Sequence, residues 1–540
     1  MPIGGIVRSI CFGCPLPERA SHITERIPAH GSLLPGRSAR GSGRGLAITG
    51  DIDALVWGAL MPGITTYPLE PWVSRALARG VSSVCLFEGA SGSPERTRTT
   101  VRDLRAISPQ LLISVDEEGG EVTRLQSATG SSFLSPAALG VIADTEVTRA
   151  SARLLGEMLH AADVDWTFAP MADVYGGPAN PAIGVRSFSG DPHTAAIHAE
   201  AFITGVQSTG VIATAKHFPG HGATHVDSHE SLPTVSANID LLHQRELLPF
   251  RSAIRVNVGA IMTGHLLVTA LDADVPASFS TAITTDLLRG ELGFSGVVVT
   301  DAIDMGAMTG ADGEPSPHAV VSCLLAGADV VCLGSADQER ATESAANAIY
   351  RALADGTLDS SVLAAAADRR AELISRRRDS FQHFDARADM QRVADAAERS
   401  LIVQGDVALA GSGIDVLSLS TSPGYDRGSP SWSLGSHLSS FGLDVQPVDV
   451  APSKTDRDLV IEIRDDWKSG ELLRSLAEAI RERPDAVIVD VGQWDPELPH
   501  CRGVITTHGI GNLSIALAAC RLTGRDTRPT VLSILNNARA

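Results

Sequence analysis

Between Ala215 and Pro233 the chain reads AKHFPGHGATHVDSHESLP, with His217, His221, His225 and His229 at every fourth position and Lys216 and Asp227 among them. On a helix this spacing would line the imidazoles along one face, the arrangement of a metal site. The residues between forbid the helix: Pro219, Gly220 and Gly222 break it, and Pro233 closes the far end. No metal site is expected. Just upstream, Gly210-Val-Ile-Ala-Thr-Ala has the composition of a short buried strand. The sequence therefore predicts a strand ending in Lys216-His217, a tight Pro-Gly turn, and an irregular loop presenting Asp227 and His229. In an extended loop residues two apart face the same side, so Asp227 can meet His229. An aspartate on one ring nitrogen orients an imidazole and leaves the other free for proton transfer. The pair is a candidate acid/base.

Such a loop needs a frame. From about residue 58 the chain repeats a short β-rich run, a polar or Gly-rich loop and an Ala/Leu-rich amphipathic segment. The β-like runs cover 58–62, 82–87, 111–116, 165–173, 211–217, 259–265, 296–301 and 329–334. Strands alternating with helices in this number predict a (β/α)8 TIM-like barrel over 46–375, with a doubly wound sheet as the second choice. Asp116, Asp173, Lys216-His217, His265 and Asp301 all stand at or just past the carboxyl end of a run, which in a barrel is the rim that carries the active site. A single aspartate there reads as a helix cap; so many strands ending this way do not. Asp301, closing Gly-Val-Val-Val-Thr-Asp, is the strongest candidate.

The rest of the chain reads differently. Residues 1–45, rich in Gly, Arg, Ser and Pro, have the composition of a disordered tail. A charged helical linker is expected over 376–399. A second, smaller αβα sandwich is expected over 400–540, with strands at 415–420, 443–450, 459–464, 486–491 and 504–508 and a helix at 471–483. No G-x-G-x-x-G follows its first strand, so no nucleotide or other cofactor is expected. The 540 residues carry a formal charge of −19, which argues against nucleic acid and an anionic membrane surface as partners. Seven scattered cysteines make no disulfide framework, and Cys11-x-x-Cys14 lacks a βαβ context. With no secretory signal and no apolar run of about 20 residues, a cytoplasmic protein without membrane insertion is expected.

Taken in order, the motifs resemble those of bacterial β-N-acetylglucosaminidases of glycoside hydrolase family 3. Lys216-His-Phe-Pro-Gly-His-Gly with Asp227-Ser-His229 is similar to the family's signature. Asp116-Glu-Glu-Gly-Gly-Glu-Val-Thr-Arg124-Leu resembles its D-x-E-G-G-x-V-x-R-L. Phe168-Ala-Pro-Met-Ala-Asp173, Asn180-Pro-Ala-Ile-Gly-Val-Arg186, Met262-Thr-Gly-His and Thr300-Asp301-Ala-Ile-Asp-Met resemble its later strands. The resemblance implies a retaining hydrolysis of terminal N-acetylhexosamine, with Asp301 as nucleophile and the Asp227/His229 dyad as acid/base. It also implies that Asp116, Arg124, Arg186, Lys216 and His217 hold the sugar. Retention needs a carboxylate on one face of the anomeric carbon and a proton donor opposite, and a histidine is suited to neutral pH. A phosphorylase using the same residues is the alternative, because a neutral histidine does not repel phosphate. A catalytically dead sugar-binding protein is the third reading, and intact Asp301 and His229 speak against it. Phe87-Glu-Gly-Ala departs from the family's Arg-Asn, and Tyr175 stands where a small polar residue is usual. His221 is expected to hydrogen-bond within its loop, Asp304 to be a first-turn helix acid, and Asp173 to be either scaffold or substrate contact.

Overall fold

Eight short parallel strands form a closed ring in the computed structural model, which describes residues 52–177, 180, 183–222, 224, 232–308, 317–379, 382–411, 413–419, 433–453, 456–463, 470–492 and 501–539. The tail before residue 52, with Cys11 and Cys14, and the segment 225–231, with His225, Asp227 and His229, lie outside the described residues. The ring comprises β1 (Leu60–Met61 and Gly63–Ile64, on either side of Pro62), β2 (Ser83–Leu86), β3 (Leu112–Val115), β4 (Trp166–Thr167), β5 (Ile212–Phe218), β6 (Ala260–Thr263), β7 (Val297–Thr300) and β8 (Val331–Cys332). β1 to β7 pair in sequence order, Leu60 pairs with Val331, and a parallel bridge from Val299 to Val330 completes the circle. The (β/α)8 barrel expected from the apolar runs is the fold. β4 is shorter than the run suggested, because Pro170 has no N–H for the ladder; beyond it only Met171 bridges to Lys216.

Alternation along each strand divides the apolar residues between two cores. Met61, Cys85, Leu112, Trp166, Ile212, Met262 and Val299 fill the barrel interior. Their neighbours Leu60, Val84, Ile113, Ala213, Ile261 and Val298 face outward, into the layer shared with the helices. Several of those helices announce themselves locally: Ser93, Ser135 and Asp191 each accept a backbone N–H at the helix start and are followed by proline.

The charged stretch after residue 375 does more than connect. The helix Ala386–Ala396 lies on Thr145–Ala161, where Arg153 binds Asp389 through two hydrogen bonds of 2.8 and 2.6 Å. Met390, Val393 and Ala394 of the same helix join the barrel's outer core. Beyond it a six-stranded sheet has the order β9 (Ile402–Gly405), β14 (Gly503–Thr506), β13 (Val487–Asp490), β12 (Asp458–Ile463), β10 (Gly413–Leu419), β11 (Asp444–Val448). Helix Gly470–Glu482 covers one face through Leu472, Leu476 and Ile480, and helices Leu434–Ser440 and Asn512–Thr523 cover the other. This is the αβα sandwich expected. The sequence missed β9, an antiparallel edge strand with half-exposed side chains and so no buried periodicity.

Candidate active site

Asp301 follows four buried residues of β7 and opens into a pocket at the carboxyl end of the barrel. Its N–H donates to Thr263 O at 2.9 Å, which fixes where the side chain begins. Its Oδ1 accepts from Ala302 N at 2.8 Å, and Oδ2 lies 3.8 Å from His217 Nε2. His265, at the end of β6, secures the turn behind it: Nε2 donates to Ala302 O at 3.1 Å and Nδ1 accepts from Ser278 Oγ at 2.9 Å. With Nε2 protonated and Nδ1 accepting, the ring is neutral, and burial lowers its pKa. Asp304 is not the first-turn acid of a helix; its Oδ2 accepts from Ser335 N and Ala336 N at 2.7 and 3.0 Å and joins the β7 and β8 loops. Gly334 is required there: φ is +82°, and a Cβ would lie 1.8 Å from Asp304 Oδ1.

β5 brings Lys216 and His217 into the same pocket, although neighbours on a regular strand face opposite sides. A register shift against β6 allows it: Ala215 pairs with Ile261 and Phe218 with Thr263, so two residues of β5 face one of β6. Such a bulge re-aims a side chain. His217 is held by Asp173, which accepts from His217 N at 3.1 Å, from His217 Nδ1 at 2.9 Å and from His221 N at 2.6 Å. Asp173 is fully buried; burial works to raise its pKa, but the hydrogen bond and charge of His217 and the neighbouring His221 outweigh it and the net shift is downward. The even choice between scaffold and contact resolves in geometry: Asp173 is the hub behind the pocket, and His217 is the group that faces it.

The run Asp116-Glu117-Glu118 divides three acids among three tasks. Glu117 turns inward, and its Oε2 accepts from Arg124 N and Leu125 N at 2.9 and 3.0 Å, folding the loop back. Burial raises its pKa to about 7. Glu118 receives Arg186 Nε at 3.0 Å, Arg186 Nη2 at 2.7 Å and Lys216 Nζ at 2.7 Å. Burial would raise its pKa, but the two cations hold it down to about 2. The same pairs raise Lys216 to about 12 against the pull of burial. Asp116, more open to the pocket, takes Lys216 Nζ at 3.0 Å and faces Arg124 Nη2 at 3.8 Å. Sequence reasoning named Asp116, Arg124, Arg186, Lys216 and His217 but not Glu118, which ties two of them together.

The pocket holds about 680 Å³ of empty space, its open mouth included. Asp116, Arg186, Lys216, His217, His221 and Asp301 supply its polar wall, and Phe87, Phe168, Met262 and Met305 its apolar one. His221 accepts or donates to Thr224 Oγ1 at 2.9 Å, as its loop role required, and burial lowers its pKa. Asn180 Nδ2 donates to His221 O and Gly222 O at 2.9 and 3.1 Å, tying down the chain just before the segment with Asp227 and His229. Chemically, the wall offers fixed cationic donors and carboxylate acceptors, the chemistry that binds hydroxyl groups, beside the Asp301 carboxylate.

A closed (β/α)8 barrel whose mouth gathers carboxylates and fixed cations suits a glycoside-cleaving enzyme. The family model for the glycosyl hydrolase family 3 N-terminal domain matches residues 73–373. A beta-hexosaminidase of Stenotrophomonas maltophilia (strain K279a) is 37% identical over 259 residues, 46% of this chain and 75% of that protein. The beta-hexosaminidase A of Pseudoalteromonas piscicida is 37% identical over 247 residues, 43% of this chain and 41% of that protein, so the match spans under half of that relative. The solved family 3 β-N-acetylglucosaminidase from Paenibacillus sp. str. FPU-7 superposes with a TM-score of 0.77 at 26% identity, over 88% of this chain and 97% of that one. The chain belongs to glycosyl hydrolase family 3 and is a glycoside hydrolase. Among the described residues no helix is long and apolar enough to cross a membrane.

Proposed function

We propose that the chain is a retaining exo-β-N-acetylglucosaminidase that releases terminal N-acetylhexosamine from glycosides such as peptidoglycan fragments or chitooligosaccharides. Asp301 attacks the anomeric carbon as its bond to the aglycone oxygen breaks, and His229, oriented by Asp227, protonates the departing oxygen. His229 then takes a proton from water, which displaces Asp301 with a second inversion and so overall retention. Asp116, Arg124, Arg186, Lys216 and His217 hold the sugar, and Glu118 fixes two of these cations. The observation that carries the reading is the Asp301 carboxylate in a pocket whose cations are already paired and rigid, 3.8 Å from a histidine held by Asp173. The names of the matched relatives support the N-acetylhexosamine specificity. The division into a tail (1–45), a catalytic barrel (46–375), a linker (376–399) and a C-terminal αβα domain (400–540) belongs to this proposal, as does a cytoplasmic location without nucleic-acid partners.

A 2-fluoro-sugar inactivator should add its mass to the peptide containing Asp301, and Asp301→Asn should abolish turnover while the protein stays folded. Label on another carboxylate would overturn the assignment. Chromogenic β-N-acetylglucosaminide assayed in phosphate and in phosphate-free buffer distinguishes hydrolysis, which yields the free sugar in both, from phosphorolysis, which yields a sugar phosphate only in the first.

A further inference from the structure

One buried acid has no part in the chemistry above. Glu246, at the end of the irregular helical turn Leu242–Glu246, is 0% exposed, and among the described residues neither of its carboxyl oxygens has a hydrogen-bond partner. Its side chain lies directly against the turn between His217 and His221: a Cβ placed on Gly220 would be 2.7 Å from Glu246 Cβ and 3.1 Å from Oε2. Gly220 has φ +126°, and its N–H donates to His217 O at 2.8 Å, so whatever presses on Gly220 presses on His217. Among the described residues, two charged groups face Glu246. Arg245, on its own element, brings Nε to 3.4 Å from Oε1 without a hydrogen bond, and it is partly exposed. Asp173, from the loop after β4, is an anion near enough for its charge to disfavour a second one. His217 and His221 stand beyond Asp173 as its donors.

An ionised carboxylate here would be buried without donors next to an existing anion, which is the costliest state open to it. We propose that Glu246 is a positioning residue of this reaction: as a neutral carboxylic acid it braces the turn at Gly220, and its ionisation disturbs the Asp173 hub that aims His217 at Asp301. Burial, with Arg245 opposing and Asp173 adding, raises its pKa to about 7, which places the change within the working range of a histidine-dependent enzyme. The sign follows. A carboxyl raised above its ordinary value is protonated below the folded value, so the braced form prevails on the acid side and is lost as the pH rises through about 7.

The inference rests on the proposed reaction, and two measurements keep its failure distinct from failure of that reading. The first needs no turnover: the infrared carboxyl band of a protonated acid, in wild type minus Glu246→Gln, should be present near about pH 6 and bleach as the pH rises. The second compares kcat/KM across pH for wild type, Glu246→Gln and Glu246→Ala on a chromogenic β-N-acetylglucosaminide. Glutamine copies the neutral acid and cannot ionise. It should retain activity within about threefold on the acid side and postpone the alkaline decline, whereas alanine should lose about tenfold or more throughout. Titration of His229 is common to wild type and the glutamine variant, so their difference isolates Glu246. A glutamine variant that is unfolded, that is as impaired as alanine, or whose alkaline limb superposes on wild type would overturn the proposal. So would a band that shows Glu246 ionised throughout. An inactive wild type with a titrating band would instead refute the substrate reading and leave the protonation of Glu246 standing.

Discussion

Glu118→Gln removes one charge from a buried cluster whose remaining members cannot leave. The Glu118 side chain is 1% exposed and takes three donors from Arg186 and Lys216, the latter equally buried. Its pKa is held at about 2 against an ordinary 4.5, and at 1.36 kcal/mol per pH unit the ionised form contributes about 3 kcal/mol to the folded state. Breaking a buried ion pair by removing one partner costs ~3–5 kcal/mol, which agrees. Because the folded value lies below the unfolded one, the contribution is complete above pH 4.5 and fades as the pH falls toward 2. Urea unfolding of both proteins, from about pH 7 down to about pH 3, reads this directly. The glutamine variant should be about 3 kcal/mol less stable at neutral pH, and the gap should narrow below the unfolded value. KM should rise as well, since Arg186 and Lys216 lose their shared anchor. Equal stability at neutral pH, or a gap that does not change with pH, would refute the argument.

Asp173→Asn leaves one acceptor oxygen where two carboxylate oxygens now serve three N–H groups, so His217 or His221 must lose its hold. kcat should fall about 10- to 100-fold and stability by about 1–3 kcal/mol, because a buried N–H loses its acceptor; a normal kcat in the folded variant would show that His217 needs no orientation. His229→Ala should slow glycosylation by an alkyl or sugar aglycone by about two to four orders of magnitude, and by a dinitrophenyl aglycone much less, because good leaving groups need little protonation. Equal losses in pre-steady-state bursts would mean that the acid lies elsewhere.

The barrel was legible because each strand is a short apolar run followed by a polar rim residue. Val297-Val-Val-Thr before Asp301, with all four residues buried, shows the pattern most plainly. Pairings across long sequence separations were not legible. Glu118 is two residues from Asp116 in an acidic run, and nothing local says that its partner is Arg186, 68 residues away. Likewise Asp304 follows Asp301 at helical spacing, yet the chain turns instead and Asp304 binds backbone at Ser335 and Ala336. The helix Ala386–Ala396 read as a charged connector because its Arg and Asp residues dominate the composition. Its contacts depend on Asp389 meeting Arg153 of the Thr145–Ala161 helix and on Met390, Val393 and Ala394 joining the barrel's outer core, a tertiary fact. Edge strand β9 failed for the opposite reason: one strand half in solvent carries no apolar pattern to read.

The same distinction bears on the C-terminal sandwich, which composition alone presents as an appendage. Its loop after β14 is packed against the barrel's Ser131–Ser135 stretch. Ser135 Oγ donates to His508 O and at the same time caps the helix Pro136–Ile142, and Leu513 N donates to Ser131 O at 3.2 Å. Gly509 has φ +145° and a Cβ there would lie 2.4 Å from Ser135 Oγ; at Gly511 it would lie 3.4 Å from Gly120 O. The Ser131–Ser135 stretch thus has the sandwich on one side and Gly119–Gly120 on the other, where Gly120 N donates to Phe133 O at 3.0 Å. Gly120 is only two residues from Glu118. Burial pushes the His508 imidazole down to about 4, so this seam stays uncharged at neutral pH, and Leu513, Ala516 and Leu517 continue into the barrel's outer core. The cations that would hold the sugar are fixed by Glu118, Glu118 by its loop, and that loop by residues from both halves of the chain. The geometry of the pocket is therefore a property of the two domains together, although every polar group lining it belongs to the barrel.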